Sequence, residues 1–154
     1  MATKVLWAIE SSALLMETEL DSLAADGIAV DGADYDNADA AKKFMYADFQ
    51  LDISGFAVAP PTAGGYFELH IFYQLNGTDY ADGEEGDAAS PTPTANSYHG
   101  KFLIEAVNAR QVQQLLGVPL SPSAFRACLV NKTDQATASD DNILSIYPHS
   151  PEGQ

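Results

Sequence analysis

The residues best suited to chemistry in this chain are acidic. The span 79–87 places Asp79, Asp82, Glu84, Glu85 and Asp87 beside Gly83 and Gly86. Carboxylate oxygens and turn-permitting glycines are what a calcium site uses. The EF-hand order D-x-[DN]-x-[DN]-G-x5-E does not fit here, so the segment reads as a solvated acidic loop, with calcium as the alternative. Asp31, Asp34, Asp36 and Asp39 form a looser group with the same two readings. Two carboxylates facing each other across a sugar could cleave a glycosidic bond, but 22 acids offer too many pairs for any one to stand out. The histidines, His70, His99 and His149, have no G-x-S-x-G elbow beside them, and none makes an H-E-x-x-H. The single cysteine, Cys128, can form neither an intramolecular disulfide nor a multi-cysteine metal site. Its apolar surroundings, 125–130, make it a small buried hydrophobe. Gly64-Gly65 precedes a strand rather than a helix, the wrong setting for a phosphate loop. Tyr66, Phe72, Tyr73, Tyr80 and Tyr98 could stack on sugar rings, as in lectin-type sandwiches. Packing into the two faces of a strand is the stronger reading for Phe72 and Tyr73, and closing a hairpin for Tyr80. No catalytic, cofactor-binding or metal-ligating residue is assigned.

The elements that must carry these side chains are strands. In residues 66–75, Phe67, Leu69, Ile71, Tyr73 and Leu75 alternate with Glu68, His70, Phe72 and Gln74, the period-2 pattern of a half-buried strand. Asn76-Gly77 follows with the backbone freedom that a tight hairpin needs. Residues 44–53 repeat the pattern, with Met45, Ala47, Phe49, Leu51 and Ile53 on one face and Asp48, Gln50 and Asp52 on the other. Residues 4–10 read as a first strand, with Val5, Trp7 and Ile9 sharing a face. Residues 14–25 read either as a short helix, with Leu15, Glu19, Leu20 and Leu23 on one side and Thr18 or Ser12 as cap, or as an extended arm. Ile28–Val30 is a brief strand, and 98–107, 111–116, 124–131 and 142–147 are further apolar or alternating runs separated by turn residues. Residues 31–43 and 79–97 are expected loops, 58–65 a connector, and 148–154 a tail. About eight strands at this spacing predict an all-β chain, a single antiparallel β-sandwich of jelly-roll type over 1–154, with at most one short helix near the N-terminus. Residues 1–30 are its first strands or an arm.

A chain of 154 residues, 46% hydrophobic, can bury one core without staples. No apolar run approaches the roughly 20 residues that span a bilayer, and the N-terminal residues lack the pattern of a secretory signal, so folding in a cytoplasm is expected. The 22 acids oppose 7 bases for a net charge of −15, which repels phosphate backbones and anionic membranes. Such acidity keeps a protein soluble before assembly, and it also suits docking on a basic patch of a partner.

Taken in order, several motifs resemble a family. They are Tyr46-Ala47-Asp48-Phe49-Gln50-Leu51, then Ala59-Pro60-Pro61-Thr62-Ala63-Gly64, then Leu75-Asn76-Gly77-Thr78-Asp79-Tyr80-Ala81-Asp82-Gly83. Gly117-Val118-Pro119-Leu120-Ser121-Pro122, the strand Phe125–Asn131, and Asn142-Ile143-Leu144 running into Tyr147-Pro148 complete the set. Together, over 44–148, they resemble a family of small tailed-bacteriophage virion proteins encoded among the head and tail genes. The resemblance implies a non-enzymatic structural role, as a decoration or cement protein on the capsid exterior. Its partners would be the major capsid protein and further copies of itself in a homo-oligomer such as a trimer, with no nucleic acid and no membrane. The family pattern offers no catalytic or cofactor residues to carry over. The stretch 82–95 is longer than in that pattern, which puts a contact role for this loop in doubt. The second reading is a carbohydrate-binding or attachment module of the virion, with calcium as an option; an enzyme comes third. A sugar binder should expose aromatic rings in a groove, so Tyr80 and Tyr98 discriminate between the first two.

Overall fold

The computed structural model describes residues 6–9, 11–31, 33–38, 43–75, 79–80 and 93–152; of 6–9 and 152 it describes the backbone. Alternation sets the inner faces. In the strand Tyr46–Ile53, Ala47, Phe49, Leu51 and Ile53 are buried while Tyr46, Asp48 and Gln50 turn outward. Nine strands follow in chain order: β1 Leu6–Ile9, β2 Ala13–Met16, β3 Ile28–Val30, β4 Tyr46–Ile53, β5 Tyr66–Tyr73, β6 Tyr98–Leu103, β7 Gln111–Pro119, β8 Phe125–Asn131 and β9 Ile143–Glu152.

They form two antiparallel sheets. In the first, β9 lies between β4 and an edge made of β1 and β2, and β7 closes the far side of β4; the second runs β3-β8-β5-β6. β1 and β2 lie along the same edge of β9, with Ile9 opposite His149 and Ala13 opposite Ile146, so they make one interrupted strand. From β2 onward the pairing is nested. β2 meets β9, β3 meets β8, β4 meets β7 and β5 meets β6. A long hairpin folded this way and rolled up deals its strands alternately to two sheets, which is the jelly roll. The all-β jelly-roll sandwich expected from strand spacing is therefore the fold. Phe49, Leu51, Phe67, Leu69, Phe102, Phe125 and Leu129 fill the space between the sheets and are fully buried. Each contributes about 1.5–3 kcal/mol relative to exposure.

One reading left open between two alternatives is decided, and two local expectations are corrected. Residues 14–25 form no α-helix: β2 is followed by a single 3-10 turn, Thr18–Leu20, with no side-chain cap. A helix would have put Glu19 on the buried side; here Leu15, Leu20 and Leu23 reach the core while Glu19 stays exposed. Met45 does not share the inner face of β4. It precedes the strand and is 54% exposed, its backbone held by the Ser150 hydroxyl and by the Leu120 N–H. Pro148–Glu152 is no tail but the end of β9. Proline cannot donate to a ladder, which made a strand look wrong there, yet Pro148 sits opposite Ala47 and Pro151 opposite Trp7. The expected Asn76-Gly77 turn and most of the acidic loop, 81–92, lie outside the described residues. The residues flanking that turn do meet: the Leu75 N–H donates to the Asp79 carbonyl at 2.7 Å, and Gln74 faces Tyr80. The main partners of β5 are β6 and β8.

Loops longer than a tight turn must find partners for backbone groups that no ladder satisfies. Buried amide side chains supply them. Asn131 donates from Nδ2 to the carbonyls of Leu23, Ala24 and Gln135, and its Oδ1 accepts the Thr133 N–H and hydroxyl. Asn142 ties Asp21 and Ala138 to Ser54, and Gln111 holds the turn at Glu105 and Val107. Asn37 bridges Phe44 and Ser121 at the opposite end. Replacing Asn131 by Ala strands several buried groups, each worth about 1–3 kcal/mol. Asn131→Ala is expected to lower stability by about 3 kcal/mol or more in urea denaturation. Ser139→Ala, at an exposed site in the same connection, should stay within about 0.5 kcal/mol.

Candidate functional site on the outer face of the second sheet

On the outward face of the second sheet, two side chains that a sandwich ordinarily leaves to solvent, His70 and Arg126, are buried. The alternation that sends Phe67, Leu69 and Ile71 inward sends Glu68, His70 and Phe72 outward, yet His70 and Phe72 are buried. β8 does the same: Phe125, Ala127, Leu129 and Asn131 point inward, Arg126, Cys128 and Val130 outward, and all are buried. An outer face buried on this scale is covered by something, and the cover divides it in two.

The half nearer the β5–β6 connection is closed. Tyr80 packs on Phe72, Cys128 and Val130 as a second apolar cluster. Its hydroxyl donates to Asp34 Oδ2 at 2.5 Å, and the Arg126 guanidinium lies over its ring at 4.8 Å. Arg126, whose side chain is 10% exposed, also pairs with Asp34 Oδ1 at 3.0 Å. Stacking and a hydrogen-bonded carboxylate are what a nearly buried guanidinium requires. This contact pins both the 31–38 segment and Tyr80 to β8. Asp31, at the end of β3, is buried beside it. Burial raises its carboxyl from 3.8 to about 6; the Ala33 N–H opposes this, Glu19 adds to it, Arg126 opposes it and Asp34 adds to it.

The other half is open. A groove of about 560 Å³ is lined by Ile28, Val130, His70, Tyr98, Thr94 and Lys132. That size falls in the range of small-molecule sites. Glu68 and Asp26 also reach it, Asp26 accepting from the Lys132 ammonium at 3.1 Å. His70 is 4% exposed, and Tyr98, at 44%, meets its ring edge-on with centroids 5.8 Å apart.

His70 is held through Ser97. The Ser97 hydroxyl lies 2.9 Å from the Thr94 carbonyl and 3.0 Å from His70 Nδ1, and it accepts the Thr94 N–H at 3.1 Å. Its one proton can go to the carbonyl, with Nδ1–H donating to the hydroxyl, or to Nδ1, with the ring proton on Nε2. Nε2 is buried without a hydrogen-bond partner among the described residues, 3.6 Å from Glu68 Oε2. Burial keeps the imidazole below its ordinary 6.5, against the pull of Glu68 and with some help from His99.

The remaining candidates disperse. His99 Nδ1–H donates to the Ser97 carbonyl and its ring packs on Tyr73, while His149 lies on the first sheet beside Asp48 and Tyr46. Asp34 is tied to Arg126, and Asp36 turns to the Ala38 N–H. Asp39 and the acids 82–87 lie outside the described residues. Among the described residues, no group of three or more His, Cys, Asp or Glu side chains is placed to hold a metal ion. The five aromatic residues do not form a common stacking surface. Phe72 and Tyr80 pack together, Tyr73 lies against Phe125, Tyr66 lies under Lys101, and Tyr98 opens on the groove. In the sequence His70 falls with Glu68 and Gln74 on the less apolar side of an alternating strand and carries no motif. Its partner Ser97 is 27 positions away, and nothing local marks the pair.

No protein-family model matches the chain, and no curated protein sequence does. Among solved structures, it is similar to a carbohydrate-binding module, CBM36, in complex with calcium and xylotriose. Identity there is 11% over 97% of this chain and 93% of that one, with a TM-score of 0.35. It is also similar to turnip yellow mosaic virus, at 10% identity over 100% of this chain and 85% of that one, with a TM-score of 0.34. Likeness this slight carries no argument about function. Among the described residues no helix is long and apolar enough to cross a membrane.

Asp31 gives this face a measurable signature. A carboxyl whose folded pKa lies above its unfolded value binds more protons in the folded state between roughly pH 4 and 6, so stability falls as pH rises through that window. At neutral pH its charge is a cost, bounded at about 3 kcal/mol. Asp31→Asn, which keeps an oxygen for the Ala33 N–H, should raise stability at pH 7 by about 1–3 kcal/mol and change it little at pH 4. Urea denaturation at the two pH values checks this.

Proposed function

We propose that this jelly roll is a non-enzymatic structural protein of a bacteriophage virion, a capsid decoration protein. It assembles through copies of itself on the major capsid protein. Supporting this reading is the ordered set of motifs over 44–148 that resembles small virion proteins of tailed phages. The observation that carries it is the segregation of charge from apolar surface. Residues 98–119, which include β6 and β7, contain one acid, Glu105, in a chain with 22. β6 and β7 are the edges of their sheets, and they approach closely where a Cβ on Gly100 would lie 2.9 Å from the Leu115 side chain. Along these edges Leu103 is exposed on the outer face of the second sheet and Val112 on that of the first, together with Val107 and Leu116, the last at 69%. Of the two cations in this span, Arg110 is neutralised by a two-pronged contact with Asp52 of β4, and Lys101 lies over the Tyr66 ring.

A net charge of −15 keeps free subunits apart. Two copies can nonetheless approach through a flank that is almost free of that charge and lined with aliphatic side chains and sheet edges. Self-association is therefore the occupancy this flank suits. The acidic remainder of the surface is left to meet a basic patch on the capsid protein.

Cryo-electron microscopy of the virion of the phage that encodes the chain tests the reading. Density for this fold on the capsid lattice, with β6 and β7 between copies, is the expected result. Density confined to the tail moves the role to attachment, and absence from particles overturns it. Val112→Lys combined with Leu116→Lys should abolish the oligomer in sedimentation equilibrium and strip the chain from particles. Both side chains are exposed, so the circular dichroism of the variant should match that of the unsubstituted chain.

A further inference from the structure

One connection holds an apolar tip in the open. Residues 54–65, between β4 and β5, carry no charged side chain in a chain with 22 acids. Phe56 and Pro61 are buried, while Ala57, Val58 and Pro60 between them are exposed, Val58 at 86%. A lone valine in solvent needs no explanation, but this one sits at the tip of a loop fastened on both sides. The Ala57 N–H donates to the Ala136 carbonyl and the Ala138 N–H to the Gly55 carbonyl, each at 3.0 Å. The Phe56 N–H donates to Asn108 Oδ1 at 2.8 Å, and the Asp134 carboxylate accepts the Thr62 N–H and hydroxyl. Pro60-Pro61 fixes two further φ angles. The tip is therefore ordered before any partner arrives, and docking through it has little left to immobilise.

The surroundings of the tip select the partner. The β2–β3 and β8–β9 connections meet at this end, where Thr137 bonds the Leu20 carbonyl and the Leu23 N–H. Residues 17–27 hold four acids and no base; residues 132–142 hold three acids and one base, Lys132, which Asp26 neutralises. The 104–110 connection, joined to the loop through Asn108, adds Val107 at 42% exposed. Such an acidic border repels the phosphates of lipid or nucleic acid, and it repels the same end of a second copy. A protein recess with apolar walls and a rim of Lys or Arg complements both the tip and the border. We infer that the 57–60 tip is a docking knob for such a recess on the capsid protein, with the acids of 17–27 and 132–142 meeting its basic rim. This end of the sandwich then faces the capsid in the decoration role on which the assignment rests.

Particles of the encoding phage assembled without the gene for this chain provide the test. The purified chain should co-sediment with them saturably. Val58→Asp should weaken that binding about tenfold or more, because it replaces a buried apolar side chain by a desolvated charge. Its circular dichroism and its oligomer in sedimentation equilibrium should be unchanged. Glu17→Lys combined with Asp140→Lys, both at exposed sites, should also weaken binding, and the difference should shrink at high salt. Val58→Asp binding as tightly as the unsubstituted chain overturns the knob and leaves the decoration role standing. Loss of the oligomer in Val58→Asp makes the tip a contact between copies and overturns the capsid partner. Binding indifferent to reversal of the two acids overturns the basic rim, and with it this choice of partner. No binding by the unsubstituted chain overturns the decoration role itself, and the knob falls with it.

Discussion

Buried backbone at the ends of the sandwich is the constraint on which this structure depends. A jelly roll joins its sheets by connections that cross from one to the other, and each crossing takes peptide groups out of their ladders. At one end the β2–β3 and β8–β9 connections meet, and Asn131 satisfies three carbonyls and two donors there from a single fully buried side chain. Thr137 repeats the device on a smaller scale, donating to the Leu20 carbonyl and accepting the Leu23 N–H. A leucine at 131 would fill similar volume but leave those groups dry, and the hydrophobic gain of one side chain does not offset several unpaired peptides. The core can therefore be aliphatic and aromatic, because the polar accounting is done by a few Asn, Gln and Thr residues at its rim.

The same logic explains why the two outer faces differ. On the first sheet the outward residues of β4 are polar, and Asp48, Gln50 and Asp52 find partners across the strand pairs: His149, Gln114 and Arg110. That face needs no cover. On the second sheet the outward residues include Phe72, Cys128, Val130 and His70, and a cover is compulsory. Tyr80 supplies it over one half, held by Arg126 and Asp34, and the turn at Thr94–Ser97 shields His70 on the other. Between these two covers lies the groove.

How much of this was legible in the residue order follows from the range of each interaction. Strand alternation is local, so β4 and β5 were readable from their own side chains, and the count of strands led to the sandwich. The nested pairing was implied by that class, although β9 was cut short because its two prolines look like the end of a strand. The helix-or-arm ambiguity at 14–25 arose because leucines spaced for a helix serve equally well as the rim of a core. The groove could not be read at all. His70, Ser97, Tyr98, Lys132 and Asp26 come from four separate parts of the chain, and nothing in their spacing announces that the fold brings them together. Tyr80 and Tyr98 were singled out together among five aromatic residues, but Tyr80 is buried and Tyr98 exposed, a distinction that depends on what covers each of them.

Strand alternation also sets where the exposed aliphatic side chains lie. Leu103 pairs with Tyr66 of β5 and Val112 with Asp52 of β4, so Leu103 turns away from the core on the second sheet and Val112 on the first. The groove obeys the same rule. Glu68 lies opposite Lys101, and the Lys132 N–H bonds the Tyr66 carbonyl, so the groove reaches along β6 from Tyr98 to the Leu103 end. β7, in the other sheet, contributes nothing to its lining. Leu103 and the groove therefore share one outer face, and Val112 stands on the opposite one.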